Sequence, residues 1–152
     1  MARFRRYWKN YLWQSLCATG VIWLVLTLLS MEQAVIITSI GATAFIVFMK
    51  PYSPFAAPRN VIGGHLIGMA LGALISLIPH PTPATAHLVY AAAVGATLFT
   101  MVVSDTEHPP AAGTALCVAV SGASWRVAAT VVTSVLLLAL FHQLLQPHLC
   151  DL

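Results

Sequence analysis

An all-α, polytopic membrane protein is the fold class this sequence predicts, and three observations predict it. Hydrophobic residues make up 59% of the chain and charged ones only 7%, where an ordinary soluble domain carries about a quarter charged. Mean hydropathy is +0.87. Lys, Arg, Asp and Glu are absent from positions 10–31, 33–49, 60–104, 108–125 and 127–150. A bilayer core takes about 20 apolar residues per helix, so the longest gap holds two spans. The pattern gives about five spans plus a short or re-entrant small-residue helix. All fall in a single transmembrane domain covering 1–152, with no room for a separate soluble module. A basic segment, 1–10, precedes spans at about 11–30, 33–49, 61–78, 88–103 and 127–145, with the short helix at 110–125.

The first span follows Arg3, Arg5, Arg6 and Lys9, four of the seven basic residues. This positive-inside signature predicts a cytoplasmic N-terminus. The run from Tyr11 to Leu29 is too long for a signal-peptide core and shows no clear small-x-small cleavage site, so it reads as a retained span. Tyr7, Trp8, Tyr11 and Trp13 suit the headgroup boundary. The net charge of +3 is explained by this cluster, and no nucleic-acid partner is expected. Glu32 marks a very short outer turn before the second span, whose start (Thr38, Ser39, Gly41, Ala42, Thr43) is rich in small residues that let helices approach closely.

Lys50 opens a turn broken by Pro51, Pro54 and Pro58, because proline removes a donor and turns its predecessor away from helix. Lys50 and Arg59 fall on the predicted inner side. The third span carries Gly64, Gly68, Gly72 and Ser76 at four-residue spacing. One helix face therefore holds a flat strip that serves either close packing or a narrow path. Gly63 and Gly113 join it as candidate path-lining positions. Pro79, Pro81 and Pro83 with His80 and His87 form an uncharged outer loop. After the fourth span come Asp105, Glu107 and His108-Pro109-Pro110, then the small-residue run to Trp125. That run either crosses the bilayer thinly or dips in and returns where protein surrounds it. GATAF at 41–45 echoes GATLF at 95–99, which suggests a repeated helical hairpin.

Two helix starts carry the most specific chemistry. Asn60 is read as the N-cap of the third span, whose first-turn N–H groups beside Arg59 and Lys50 suit an anion. Pro109 and Pro110 suit the first turn of the short helix. Arg59 and Lys50 either hold a substrate anion or pair with Asp105 and Glu107, and a pair that opens on binding would gate. His65, one turn into its helix, and His108 either contact an anion, relay a proton, or hydrogen-bond a neighbouring helix. His80, His87, His142 and His148 read as interfacial. Cys17, Cys117 and Cys150 suggest neither a disulfide framework nor a metal site. Enzyme signatures are missing: the chain has no HExxH, GxSxG, P-loop or CxxC. No catalytic residue, metal or cofactor is expected.

Together, PYSPFAAPRNVIGGH and EHPPAAGTAL resemble the HPP family of integral membrane proteins, named for the motif found here at 108–110. The resemblance covers most of the chain from about the second span onward. It implies about four spans, sometimes joined to regulatory CBS domains for which this chain has no room. Plastid and cyanobacterial members are associated with nitrite transport, so it also implies a small-anion transporter. The expectation is a transporter or channel for a small monovalent anion, nitrite first. It would sit in the lipid bilayer of the bacterial inner membrane as a homo-oligomer of two or three copies. A non-transporting membrane scaffold or sensor is the alternative.

Overall fold

The computed structural model describes residues 2–28 and 34–152, and among these the chain is helical with no strand. Six helices follow in order: α1 (Ala2–Leu28), α2 (Ala34–Met49), α3 (Pro58–Ser76), α4 (Pro83–Val103), α5 (Pro110–Ser121) and α6 (Trp125–Leu145). Short 3-10 turns at Pro54–Ala56 and Gln146–His148 complete the chain. The expected outer turn at Glu32 lies outside the described residues.

Local chemistry sets the boundaries. Nothing between Ala2 and Tyr11 breaks a helix, so α1 begins about two turns before the predicted span. α4 begins at Pro83 rather than 88, because Thr82 makes a capping box: its hydroxyl accepts from Thr85 N–H, and the Thr85 hydroxyl accepts from Thr82 N–H. α5 stops at Ser121, where Gly122 takes φ +79°, a left-handed value open to glycine. Ser124 then caps α6 by accepting from Val127 N–H.

By length and hydropathy alone, α4 and the stretch Trp125–His148 are long and apolar enough to cross a bilayer, with mean hydropathies of 1.8 and 2.0. Thr38–Met49 and Pro110–Ser121 are apolar but shorter. At 12 residues, α5 is about 18 Å long, well short of the roughly 30 Å hydrocarbon core.

The centre of the molecule is the pair α3 and α5. Gly64 faces His108, Gly68 faces Ala111 and Gly72 faces Ala115, so the two helices run parallel. Their levels differ, however. His108 and Pro110 meet α3 about two turns past its start, so α5 begins inside the bundle. α4 also packs on α3, while α2 packs on α5. α4 packs on α5 as well, so it leans on both members of the central pair while α2 leans on α5.

α1 and α6 close the bundle over α2. Val21, Val25, Ile40, Ala44, Val47, Phe48, Val131, Val135 and Leu138 form their shared core. One tie fixes the ends of the chain: Gln14 Nε2 donates to the Phe48 and Cys150 carbonyls, and Leu152 N–H donates to Met49 O. The C-terminus therefore lies at the Lys50–Ala57 end of the bundle, and the basic start of α1 extends beyond it. Arg6, Lys9, Lys50 and Arg59 share this end, while Arg126 begins α6 at the other. The surface is inverted relative to a soluble protein. Leu77 and Trp125 are each 77% exposed, whereas Ser39, Thr43, His65, Thr114 and His108 are buried.

Candidate functional site

The start of α5 meets two other helices in a buried polar junction. Ser39 and Thr43 lie one turn apart on α2, so both hydroxyls leave the same face. Ser39 Oγ donates to Pro110 O at 2.6 Å and shares a hydrogen bond with Thr114 Oγ1 at 2.9 Å. Thr114 Oγ1 meets His65 Nδ1 at 2.8 Å. Thr43 Oγ1 sits between the histidines, 2.9 Å from His65 Nε2 and 3.0 Å from His108 Nε2. His108 Nδ1 faces Phe55 O at 2.8 Å and must donate to it. The two rings lie 5.0 Å apart, centre to centre. Both histidines, Thr43 and Thr114 are fully buried.

Glycine makes the junction possible. A Cβ on Gly68 would stand 2.5 Å from Ala111 O, and one on Gly72 would stand 2.6 Å from Ala115 O. A Cβ on Gly64 would stand 2.8 Å from His108 Cβ. The strip is filled by α5 and leaves no passage along it. Gly63 faces Thr106, and Gly113 meets Ser39 at ordinary contact distance. Of the prolines, Pro54 opens the first 3-10 turn, Pro58 starts α3, Pro109 precedes α5, and Pro110 starts it.

The helix starts differ from expectation. Asn60 is not the N-cap of α3. Ala57 occupies that place without a side-chain cap, because Pro58 at the first position starts the helix earlier. Nor do the first turns present a cluster of free donors. Pro58 and Pro110 have no N–H, Asn60 and Val61 N–H donate to Ala57 O, Ala111 N–H to His108 O, and Ala112 N–H to Pro109 O. Tight local bonds of this kind satisfy the orphan groups that an anion would otherwise use.

The charged residues sit above the junction. α4 ends with Asp105 N–H donating to Val102 O and Thr106 N–H to Met101 O, a Schellman pattern. Asp105 occupies its left-handed position at φ 54°. Arg59 Nη1 donates to Asp105 Oδ2 at 3.1 Å, and Nη2 donates to Ser104 O. The pair is open to solvent, with side chains 64% and 86% exposed. Glu107 is not part of it. With Phe55, His108 and Pro109, Glu107 lines a hollow of about 150 Å³. Lys50 is half-buried at the end of α2 and outside this network. His142, read from sequence as interfacial, is instead buried, its Nε2 donating to Pro51 O. No cluster of metal-ligating residues occurs among the described residues.

Sequence reasoning singled out His65 and His108 but treated Ser39 and Thr43 as packing residues and missed Thr114. The available signal was the four-residue spacing of Ser39 and Thr43, with Thr114 four residues after Pro110.

An apolar exterior, polar side chains buried within the core and a recessed short helix define an α-helical integral membrane protein with a buried histidine–hydroxyl junction. The chain belongs to the HPP transmembrane region family, whose model matches residues 4–148. It is similar to a transmembrane protein of Dictyostelium discoideum, 35% identical over 113 residues, 71% of this chain and 40% of that protein. A second Dictyostelium discoideum transmembrane protein is 34% identical over 96 residues, 62% of this chain and 31% of its own length. The chain thus spans less than half of either relative. No solved structure matches.

Proposed function

We propose that the protein moves a small monovalent anion across the membrane, with nitrite the first candidate. The observation that carries this reading is the junction itself. Two histidines and three hydroxyls, from α2, α3, α5 and the turn before α5, are buried together in a mostly apolar core, where ionisable groups are costly and mark solute pathways by default. The hollow lined by Glu107 touches the junction at His108, and the exposed Arg59–Asp105 pair at the same end of the bundle is the candidate gate. On this reading the basic end of the bundle, with both chain ends, faces the cytoplasm by the positive-inside rule, and the membrane is the bacterial inner membrane. A chain this short encloses a path most readily as two or three copies.

Flux of nitrite, nitrate, formate and chloride into liposomes holding purified protein tests the proposal. Wild type should exceed empty vesicles for at least one anion, and Arg59→Gln should lower that flux with assembly unchanged. No flux of any of the four ends the anion reading. The closed α3–α5 contact favours a second reading, a non-transporting scaffold or sensor whose glycines and histidines fix its fold. That reading expects His108→Ala to abolish assembly, which size-exclusion profiles report.

A further inference from the structure

The hydrogen-bond chain through the junction ends on an acceptor at both sides. At one end is the Pro110 carbonyl, at the other the Phe55 carbonyl. Between them stand five groups in series, Ser39, Thr114, His65, Thr43 and His108, joined by six contacts. Each contact needs one proton, and each hydroxyl or neutral imidazole brings one. Five protons cannot fill six contacts. Assigning from the ends locates the shortage. Ser39 gives its proton to Pro110 O, so Thr114 donates to Ser39, and His65 donates from Nδ1 to Thr114. At the other end, His108 donates from Nδ1 to Phe55 O. Both Nε2 lone pairs then point at Thr43, which has one proton. The Ser39 carbonyl, 3.0 Å from the same hydroxyl, competes for it.

We infer that the junction binds one proton per protomer, shared between His65 and His108 across Thr43. With it all six contacts of the chain are filled: one ring donates from Nε2 to Thr43 Oγ1, and the Thr43 hydroxyl donates to the other Nε2 in place of the Ser39 carbonyl. Passing the charge across moves two protons in step, one from the charged ring onto Thr43 Oγ1 and the hydroxyl's own onto the facing Nε2. The sum of protons is unchanged.

Other ionisable groups on the surrounding elements are few. α2 ends at Lys50, α3 carries Arg59, α4 carries His87 and Tyr90, α5 carries Cys117, and α6 carries Arg126 and His142. Asp105 and Glu107 lie in the turn before His108. Arg59 and Asp105 are paired at the surface, Cys117 contacts Ser121, and His142 is held by Pro51. Glu107, in the hollow against His108, is the one nearby carboxylate outside that ion pair. A buried cation without a counter-charge is costly, so loading is favoured when an anion, the Glu107 carboxylate or a solute, faces His108 across that hollow. This last consequence, coupling of a proton to the solute, rests on the transport reading, whereas the one-proton site does not.

The test is a pH titration of the full chain in lipid bilayers with 15N-labelled histidine rings, assigned with His65→Gln and His108→Gln. At alkaline pH both rings should carry hydrogen on Nδ1, with Nε2 bare. Acidification should add one proton per protomer and shift both Nε2 signals together. Thr43→Val should lose the joint shift and Thr43→Ser should keep it. Hydrogen on Nε2 of either neutral ring overturns the assignment. So does uptake of two protons, uptake of none, or a joint shift that survives Thr43→Val. Should Thr43→Val fail to fold, the wild-type tautomers and the Thr43→Ser titration still decide. Running the liposome flux assay on the same protein separates the two proposals, since a joint shift in a protein without flux leaves this site standing and ends the anion reading.

Discussion

Gly68→Ala tests the central contact most sharply. The new methyl would stand 2.5 Å from Ala111 O, 3.3 Å from Ala111 C and 3.4 Å from Ala115 N. All three are backbone atoms of α5, so no side-chain rotation relieves the clash. Carbon–oxygen contacts between packed helices settle near about 3.3 Å, so the helices must part by roughly 0.8 Å. Carried to the level of His65, that displacement stretches the 2.8 Å bond to Thr114 to about 3.6 Å, where it no longer counts as a hydrogen bond. Overpacking of this kind costs about 1–3 kcal/mol, and an interhelical hydrogen bond in a membrane is worth about 0.6 kcal/mol. The expected loss is therefore about 2–4 kcal/mol in reversible unfolding from mixed micelles. Gly95→Ala is the matched control, since a Cβ there meets nothing within 4 Å. It should be neutral or slightly stabilising by helix propensity. Equal stabilities for the two variants would refute the close approach of α3 and α5.

Two further outcomes follow from the end of the bundle near Lys50. Gln14→Ala leaves the Phe48 and Cys150 carbonyls without their shared donor. It should cost about 1–3 kcal/mol and speed hydrogen exchange at 149–152 ahead of the rest of the chain; unchanged exchange there would show that Gln14 does not hold the C-terminus. On a cysteine-free background, Tyr52→Cys and Asp151→Cys should react with an impermeant thiol reagent from one side of the membrane and Pro81→Cys from the other. Labelling of all three from one side would contradict the placement of both chain ends opposite the Pro79–Pro83 loop.

Much of the fold was legible because lipid solvation writes a coarse pattern. Charge-free runs marked α2 and α6 to within two residues at each end, and the prolines at 58 and 110 marked two helix starts, whereas Pro83, read as loop, starts a third. The four-residue glycine spacing identified the face of α3 that meets α5, while leaving open whether α5 or a solute would fill it. Spacing reports which residues share a face and not what lies opposite. Asp105 was legible as a partner for Arg59. Its left-handed backbone was not, because that C-terminal position usually belongs to glycine. The anion-binding helix starts were misread for a related reason. Asn60 and the prolines carry the right preferences, but whether first-turn N–H groups remain free depends on how tightly each turn closes.

The junction was the least legible part, and the reason bears on how it works. Serine and threonine in an apolar helix satisfy themselves by bonding back to the carbonyl four residues earlier, as Thr97 does to Ala93 and Thr43 does to Ser39. Nothing local distinguishes the two threonines, which fall at the same place in the GATAF and GATLF echo. They differ in what faces them. Thr43 is met by both histidines, while Thr97 is buried with its own helix carbonyl as partner. The junction draws on both segments, with Ser39, Thr43 and His65 from α2 and α3 and with His108 and Thr114 from the start of α5. The recessed start of α5 delivers His108 to Thr43, because a full-length helix there would carry the His-Pro-Pro turn out to the surface beside Arg59. The shortness of α5 and the burial of His108 are thus one feature seen twice.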